Sequence, residues 1–309
     1  MLPKIVVILG PTAVGKSDLA LELADAINGA IVNADSQQVY RYLDIGTGKP
    51  TKADRVRVAH FMIDVVDPDE EFNAALYRRG ATECIERIHH GKQNVIVCGG
   101  TGLYLKALTK GIFEGPGQDI EIRRGLEQQI DREGLAPLHR RLTEIDPSIV
   151  ATIHPNDRQR TIRAMEVFQL TGKRMSEWQK EHGFQEQPFE MFKIGLDRPR
   201  GELYDLINRR CERMVEDGLL EEVRGLVARG YGLSLKSLCS VGYRQMGQVL
   251  EGRRALIDAI EEMKQETRHF AKRQLTWFRG DPEILWFHPK EKAGIIESVK
   301  MFLSNQRSE

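Results

Sequence analysis

The chain has 309 residues, 41% of them hydrophobic and 29% charged, with 45 Lys+Arg against 45 Asp+Glu. This is the make-up of a globular protein with a real core, and the zero balance excludes a global basic field, so any nucleic-acid binding must come from a local patch. Cys84, Cys98, Cys211 and Cys239 form no C-x-x-C pair and no apolar run reaches transmembrane or signal-peptide length, which argues against a zinc module, a disulfide scaffold and a membrane protein and suits a reducing cytoplasm.

Lys4 to Leu9 is a short apolar, β-branched run that predicts a buried strand. Gly10, Pro11, Thr12, Ala13, Val14, Gly15, Lys16 and Ser17 follow and match G-x-x-x-x-G-K-[ST], the phosphate loop. Beyond it Leu19, Ala20, Leu23, Ala24 and Ile27 recur at helical spacing, and Asn28-Gly29 ends the helix. The glycines let the backbone wrap an anion, and the helix start supplies free N–H groups and a positive dipole end. Lys16 neutralises phosphate charge, and Ser17 offers a hydroxyl to Mg²⁺. The motif therefore predicts a di- or triphosphate ligand without saying what becomes of it.

Residues 30–34 predict a second strand that ends at Asp35, Ser36, Gln37 and Gln38. In a doubly wound sheet ligands lie at the carboxyl ends of strands, so Asp35 is placed for function; capping of the next turn fits it equally. Leu43 to Arg57 is rich in Gly, Lys and Thr and reads as a mobile loop; His60 to Pro68 reads as a third strand and Ala74 to Ile88 as a helix. Asn94 to Cys98 is a buried strand followed by Gly99-Gly100-Thr101. A nucleotide hydrolase would place an acid there. Paired glycines and a neutral hydroxyl suit holding a phosphate ester or leaving-group oxygen better, although Thr101 also fits a helix N-cap.

Gly111 to Gly117 is the clearest break, and from Asp119 to Gly183 the pattern is helical. The division expected is residues 1–116 as the first part of an α/β core, 117–186 as an inserted helical domain and 187–309 as core completion with C-terminal helices. In the insertion three arginines, Arg158, Arg160 and Arg163, open a helix whose N-cap is Asp157. Positive charge there opposes the helix dipole, which asks for an outside anion such as phosphate backbone. Pairing with Asp157 or Glu166 on a solvated face is the alternative. Phe189 to Leu196 predicts a returning strand, and Leu203 to Asp217, Leu219 to Arg229 and Leu256 to Phe278 predict helices. On the last, Lys264, Arg268 and Lys272 share a face and Trp277 sits among basic residues, which fits either base stacking or a plain solvated face.

Six blocks in order, GPTAVGKS, NADSQQVY, GGTGLYL, NDRQRTIRAMEV, VGYRQ and KRQLTWFR, resemble the signature blocks of the tRNA dimethylallyltransferase (tRNA isopentenyltransferase) family from Val6 to about Phe287. The resemblance implies an α/β, P-loop NTPase-like (nucleotide-kinase-like) core with a parallel sheet and an inserted all-helical domain on the tRNA anticodon arm. It implies transfer of a dimethylallyl group from dimethylallyl diphosphate to N6 of the adenosine immediately 3′ of the anticodon in tRNAs reading U-initial codons. Without paired cysteines, and stopping at Glu309, the chain looks like the compact bacterial form, a cytoplasmic monomer with no obligate protein partner. The implied catalytic residues are Asp35 as general base, Thr101 on the bridging oxygen and Lys16 on the leaving group. Residues 10–17 and Arg244 would hold diphosphate, with Mg²⁺ at Ser17. The implied tRNA contacts are Asp35, Ser36, Gln37, Gln38, Thr101, Arg123, Gln159, Arg160, Thr161, Ile162, Arg163, Gly242, Tyr243, Arg244, Gln245, Lys272, Arg273, Gln274, Trp277 and Arg279.

Two other functions share part of the pattern. A P-loop small-molecule or nucleoside kinase has the same opening, but the helical insertion and the Lys272–Arg279 block count against it; ATP consumption separates the two. A non-catalytic RNA-binding module using a nucleotide switch would keep its whole function in Asp35→Ala.

Overall fold

The computed structural model describes residues 2–113 and 115–305; the end of the chain at Glu309 lies outside them. Lys110–Glu186 form one compact unit, and residues 1–109 with 187–309 form the other. The helical unit therefore begins at Lys110, ahead of the break expected at 117.

The larger unit is built on six parallel strands: β1 (Lys4–Leu9), β2 (Gly29–Asn33), β3 (His60–Phe61), β4 (Asn94–Gly99), β5 (Glu190–Leu196) and β6 (Leu285–Phe287). Their spatial order is β3-β2-β4-β1-β5-β6. β1 is central, with Val7 opposite Val97 of β4 and Lys193 of β5. Helices cover both faces of such a sheet, so its central strands read as apolar runs; Ile5, Val6, Val7 and Ile8 are all buried. Chain reversals before crossovers are built by local chemistry. Helix α1 (Lys16–Ile27) ends at Asn28 in the left-handed conformation, its N–H returning to the Ala24 carbonyl.

The expected third strand is cut to His60–Phe61 because Met62 and Asp64 take φ of 62° and 55°, which no ladder tolerates. The supposed mobile loop 43–57 ends in a helix, α2 (Lys52–Arg57), started by a Thr51–Asp54 capping box. Within it Lys49 is pinned, its Nζ donating to the Tyr40 carbonyl and to Asp44 and Asp64. Two further helices precede the insertion, α3 (Ala74–His90), whose N-cap Asn73 accepts from two backbone N–H groups, and α4 (Gly102–Lys110).

The helical unit contains α5 (Ile120–Glu133), α6 (Leu135–Ile145), α7 (Pro147–Val150), α8 (Arg158–Thr171) and α9 (Met175–His182). Asp119, Asp146 and Asp157 cap α5, α7 and α8 with side-chain oxygens. Leu126, Ile130, Leu138, Leu142, Ile162 and Met165 make its core. Leu138 and Leu142 fall one turn apart, so one face of α6 carries the packing, and truncating either to Ala costs about 2–5 kcal/mol. The chain then returns through α10 (Arg200–Glu216), α11 (Leu219–Ala228), α12 (Tyr243–Leu250), α13 (Leu256–Phe278) and α14 (Lys292–Ser304).

Candidate active site

The carboxyl ends of β1, β2, β4 and β5 deliver four segments to one edge of the sheet, where ligands bind in open α/β folds. The phosphate loop follows β1. Gly10 has φ +144°, and a Cβ there would stand 2.6 Å from the Leu196 carbonyl oxygen, so no side chain fits where the loop passes β5. Gly15 precedes the first turn of α1, and Ser17 in that turn is exposed beside the cavity described below. The Lys16 ammonium folds over the loop and donates to the Gly10 carbonyl (3.0 Å) and the Pro11 carbonyl (2.7 Å). Burial lowers its pKa to about 8; Cys98 and Asp35 resist that shift and Arg210 adds to it. Burial also pushes the neighbouring Cys98 thiol up to about 11, so it is a neutral wall rather than a nucleophile.

The loop is held from outside at Thr12 and Val14. The Thr12 N–H donates to Gln274 Oε1 (2.8 Å), and Gln274 Nε2 donates to the Gly100 carbonyl (2.9 Å). Arg198 Nε donates to the Val14 carbonyl (3.1 Å). Val14 itself is buried, and Ala13 sits at φ 64°. Thus α13 braces both the phosphate loop and the Gly-Gly-Thr turn.

Asp35 follows β2. Its Oδ1 accepts from the N–H groups of Gln37 (2.8 Å) and Gln38 (3.4 Å), which fixes the side chain at the cavity it lines and leaves Oδ2 without a hydrogen bond from the described residues. The two readings of Asp35 are thus both physical: one oxygen caps the turn while the other stays available. Thr101 Oγ1 accepts from the Ser36 N–H (2.9 Å) and donates to Ser36 Oγ (3.3 Å), so its side chain joins the β2 and β4 ends. Gln38 is buried, its amide N–H on the carbonyls of Thr47 and Gly48. Gln37 lines the cavity, and its side-chain oxygen has no partner.

These groups face one cavity of about 720 Å³. Lys16, Ser17, Asp35, Thr101 and Gln274 line it, and Met214, Val241, Met263 and Phe270 give it apolar surface. Arg210 lines it too and carries no sequence motif. Arg210 Nη1 donates to Thr12 Oγ1 (3.2 Å) and Nη2 to the Thr47 carbonyl (3.3 Å). Both partners are neutral oxygens, so the half-buried guanidinium has no charged hydrogen-bond partner at the phosphate loop, and the field of Asp35 only partly offsets its desolvation. Its sequence signal was weak: one arginine in a helical RRC run.

Arg244 does not take that place. Its guanidinium pairs with Glu262 and Glu266 of α13, and it is not among the cavity's walls. Tyr243 and Gln245 are buried, so neither presents a side chain to RNA. Tyr243 donates to Glu222 (2.5 Å), while Gln245 caps the Gly242 N–H and donates to Glu262 and Glu266. Gln274 is likewise a buried brace. Lys272, Arg273, Trp277 and Arg279 of α13 are exposed, Arg279 pairing with Asp197 (2.8 Å).

In the helical unit the arginines do not wait for an outside anion. Glu166 is 0% exposed and accepts from Arg123 (2.9 Å), Arg163 (3.0 Å) and the Asp119 N–H (3.0 Å). Burial pushes its carboxyl up, yet these three donors outweigh that and hold it below the usual carboxylate value. Arg163 also donates to the carbonyls of Pro116 and Gly117. Arg158 pairs with Asp131 and Arg160 with Asp157. Thr161 and Ile162 are buried in this unit's core, which removes them as RNA contacts; Gln159 and Arg160 remain exposed.

A phosphate loop with an arginine that has no charged hydrogen-bond partner, sharing one cavity with a fixed carboxylate and a threonine, defines a phosphate-substrate transferase built on a doubly wound sheet. The IPP transferase family profile matches residues 38–281, and the chain belongs to that family. It is 49% identical over 295 residues to the tRNA dimethylallyltransferase of Syntrophobacter fumaroxidans, covering 96% of this chain and 86% of that one. It is 48% identical over 300 residues to that of Geobacter metallireducens, covering 97% of both. Among solved structures it is similar to the full-length tRNA isopentenylpyrophosphate transferase of Bacillus halodurans (TM-score 0.72, 38% identity, 97% of this chain and 96% of that). It is also similar to a eukaryotic dimethylallyltransferase acting on tRNA (TM-score 0.79, 27% identity, 99% and 81%). The expected α/β core and family are thereby established. No described helix is long and apolar enough to cross a membrane.

Proposed function

We propose that this chain transfers the dimethylallyl group of dimethylallyl diphosphate to N6 of an adenosine in tRNA, the one immediately 3′ of the anticodon in tRNAs reading U-initial codons. The observation that carries it is the shared cavity, lined by the phosphate loop, Lys16 and Arg210 together with Asp35 and Thr101. The membership of the chain and its near relatives' names favour this over the kinase alternative.

The diphosphate lies on residues 10–17, with Lys16 and Arg210 meeting charge that grows on the leaving group. The N6 lone pair forms a bond to C1 of the prenyl group as the C1–O bond breaks, its electrons going to the departing diphosphate. Asp35 Oδ2 takes the N6 proton. Thr101 exchanges its Ser36 contact for the bridging oxygen. The adenosine must leave its stack to reach this depth, and the exposed face of α13, with Lys272, Arg273, Trp277 and Arg279, is the surface that receives the RNA. Gln159 and Arg160 are a second, helical-unit contact.

Mg²⁺ fits as an ion carried by the substrate. Among the described residues no group of three His, Cys, Asp or Glu side chains stands ready for a metal, while Ser17 opens to the cavity, as suits an ion held mostly by phosphate oxygens. Bound there, it neutralises diphosphate charge. A cytoplasmic location is supported by four unpaired thiols.

The test is incubation with Mg²⁺, unmodified tRNA and radiolabelled dimethylallyl diphosphate, followed by nucleoside analysis. Label in N6-dimethylallyladenosine next to the anticodon is expected. No label, with folded protein and competent tRNA, would overturn the proposal, and phosphoryl transfer from ATP would replace it with the kinase reading.

A further inference from the structure

We propose that Glu222 is a positioning residue for the diphosphate donor: its carboxylate grips the backbone of residues 44–46 and thereby sets the Arg210 guanidinium against the phosphate loop. The inference rests on the reading of Arg210 as a diphosphate ligand.

Glu222 lies in the first turns of α11 and is not itself a wall of the donor cavity. Four donors converge on its carboxylate. Oε2 accepts from the N–H groups of Asp44 (3.1 Å) and Ile45 (2.8 Å). Oε1 accepts from the Gly46 N–H (3.3 Å) and from the Tyr243 hydroxyl (2.5 Å). Three successive N–H groups turned to one point form a concavity that ordinarily recruits an anion. Here the protein fills it with its own carboxylate, far from where the substrate's phosphates belong.

What the grip fixes is the far side of the loop. The Thr47 carbonyl accepts from Arg210 Nη2, and the carbonyls of Thr47 and Gly48 accept from Gln38 Nε2. There is no slack between the parts. A Cβ on Gly46 would stand 2.4 Å from the Tyr243 ring, and one on Gly48, at φ +62°, would stand 2.3 Å from Arg210 Nη2. The backbone is therefore held between Tyr243 on one side and Arg210 on the other. Arg210 has only two anchors, the Thr47 carbonyl and Thr12 Oγ1, and neither carries charge. If the loop relaxes, the first anchor withdraws and a long side chain regains its rotamers. Its charge survives but its aim does not, so anion affinity falls without being abolished.

The experiment measures inorganic pyrophosphate binding calorimetrically, which needs no turnover, for wild type, Glu222→Ala, Arg210→Ala and the double variant. Glu222→Ala is expected to weaken binding about tenfold and Arg210→Ala about a hundredfold, with no further loss in the double variant, because the two act through one group. In turnover assays the KM for dimethylallyl diphosphate rises in Glu222→Ala while the KM for tRNA holds, a split that general destabilisation would not give. Should Glu222→Ala fail to fold, Tyr243→Phe removes one of the four donors and is expected to weaken pyrophosphate about threefold, again only where Arg210 is present. Losses that multiply in the double variant, or a Glu222→Ala protein that binds pyrophosphate as wild type does, overturn the inference. Arg210→Ala binding pyrophosphate normally overturns the reading beneath it, and that result is distinguishable because it does not involve Glu222.

Discussion

Arginines in the two units of this chain live under opposite rules. In the helical unit Arg123 and Arg163 meet a fully buried carboxylate, Glu166, and their charge is spent inside the fold. In the α/β unit Arg210 is just as enclosed but meets only a hydroxyl and a carbonyl oxygen. A buried cation is costly unless it is compensated. The helical unit compensates its arginines by direct ion pairs at folding, whereas Arg210 feels Asp35 only at a distance and keeps its hydrogen-bonding sites free of any charged partner until an anion arrives. Charge alone thus says little about function; the charge of the partner decides whether a cation holds the protein or a ligand.

The sharpest way to break this contrast is at the phosphate loop. Lys16→Ala removes a second cavity cation whose hydrogen bonds go to neutral carbonyls, and turnover with dimethylallyl diphosphate should fall about 10³-fold, with tRNA binding largely kept. A smaller loss would mean that Arg210 carries the leaving group by itself. Asp35→Ala, in the same cavity, should cost about 10²–10³-fold in kcat while pyrophosphate affinity is unchanged; a parallel loss of pyrophosphate affinity would make Asp35 part of the anion site.

Lys16 also supplies a pH test. Its amine, held near 8 in the free protein, is protonated below that value and ready for an anion. Above it, binding must take up a proton, so the pyrophosphate dissociation constant should rise by up to about tenfold per pH unit. Lys16→Ala should flatten that slope. A steep slope surviving in the variant would assign the titration to another group.

The helical side gives a stability readout instead. Glu166→Ala strands Arg123 and Arg163 and should cost its unit about 3–5 kcal/mol, seen as early denaturation and protease cleavage within residues 110–186. Pyrophosphate affinity should not move. Because the Glu166 carboxyl is held below its unfolded value, its contribution is present above the unfolded pKa and lost as pH falls through the folded one. A stable Glu166→Ala protein with weakened tRNA binding would make these arginines RNA ligands after all. The smallest effect is expected from Arg160→Ala. Arg160 is exposed and only loosely paired with Asp157 (3.4 Å), so the tRNA KM should rise a few-fold, at about 1–3-fold, with a slightly shallower salt dependence. No change in either would leave Arg160 an ordinary surface charge.

How far the sequence carried these conclusions depends on the range of the interactions. The phosphate loop, the flanking β1 and α1, and the cap Asp157 were legible because their causes lie within a few residues. The helix α2 was legible in principle, from Thr51 three residues before Asp54, but the glycines ahead of it suggested a loop. The third strand failed through Met62 and Asp64, whose left-handed backbone no apolar pattern announces. Arg210 and Glu222 could not be read at all. Arg210 works through Thr12 and Thr47, and Glu222 through residues 44–46, contacts made by the fold across most of the chain. Arg244 was mistaken for the reason that makes Arg210 hard to find: only the neighbours Glu262 and Glu266 show its charge to be already taken.

Gln274 has a consequence of its own. One amide accepts from the phosphate loop at Thr12 and donates to the turn at Gly100, from the last turns of a helix whose outer residues are exposed. An amide has one accepting and one donating end, so it cannot serve these two segments in any flipped arrangement. The separation between the segments is therefore set by the dimensions of a single planar group, like a gauge block between two jaws. Glu in its place would keep the length and reverse one end's sense, and Asn would shorten the gauge by a carbon.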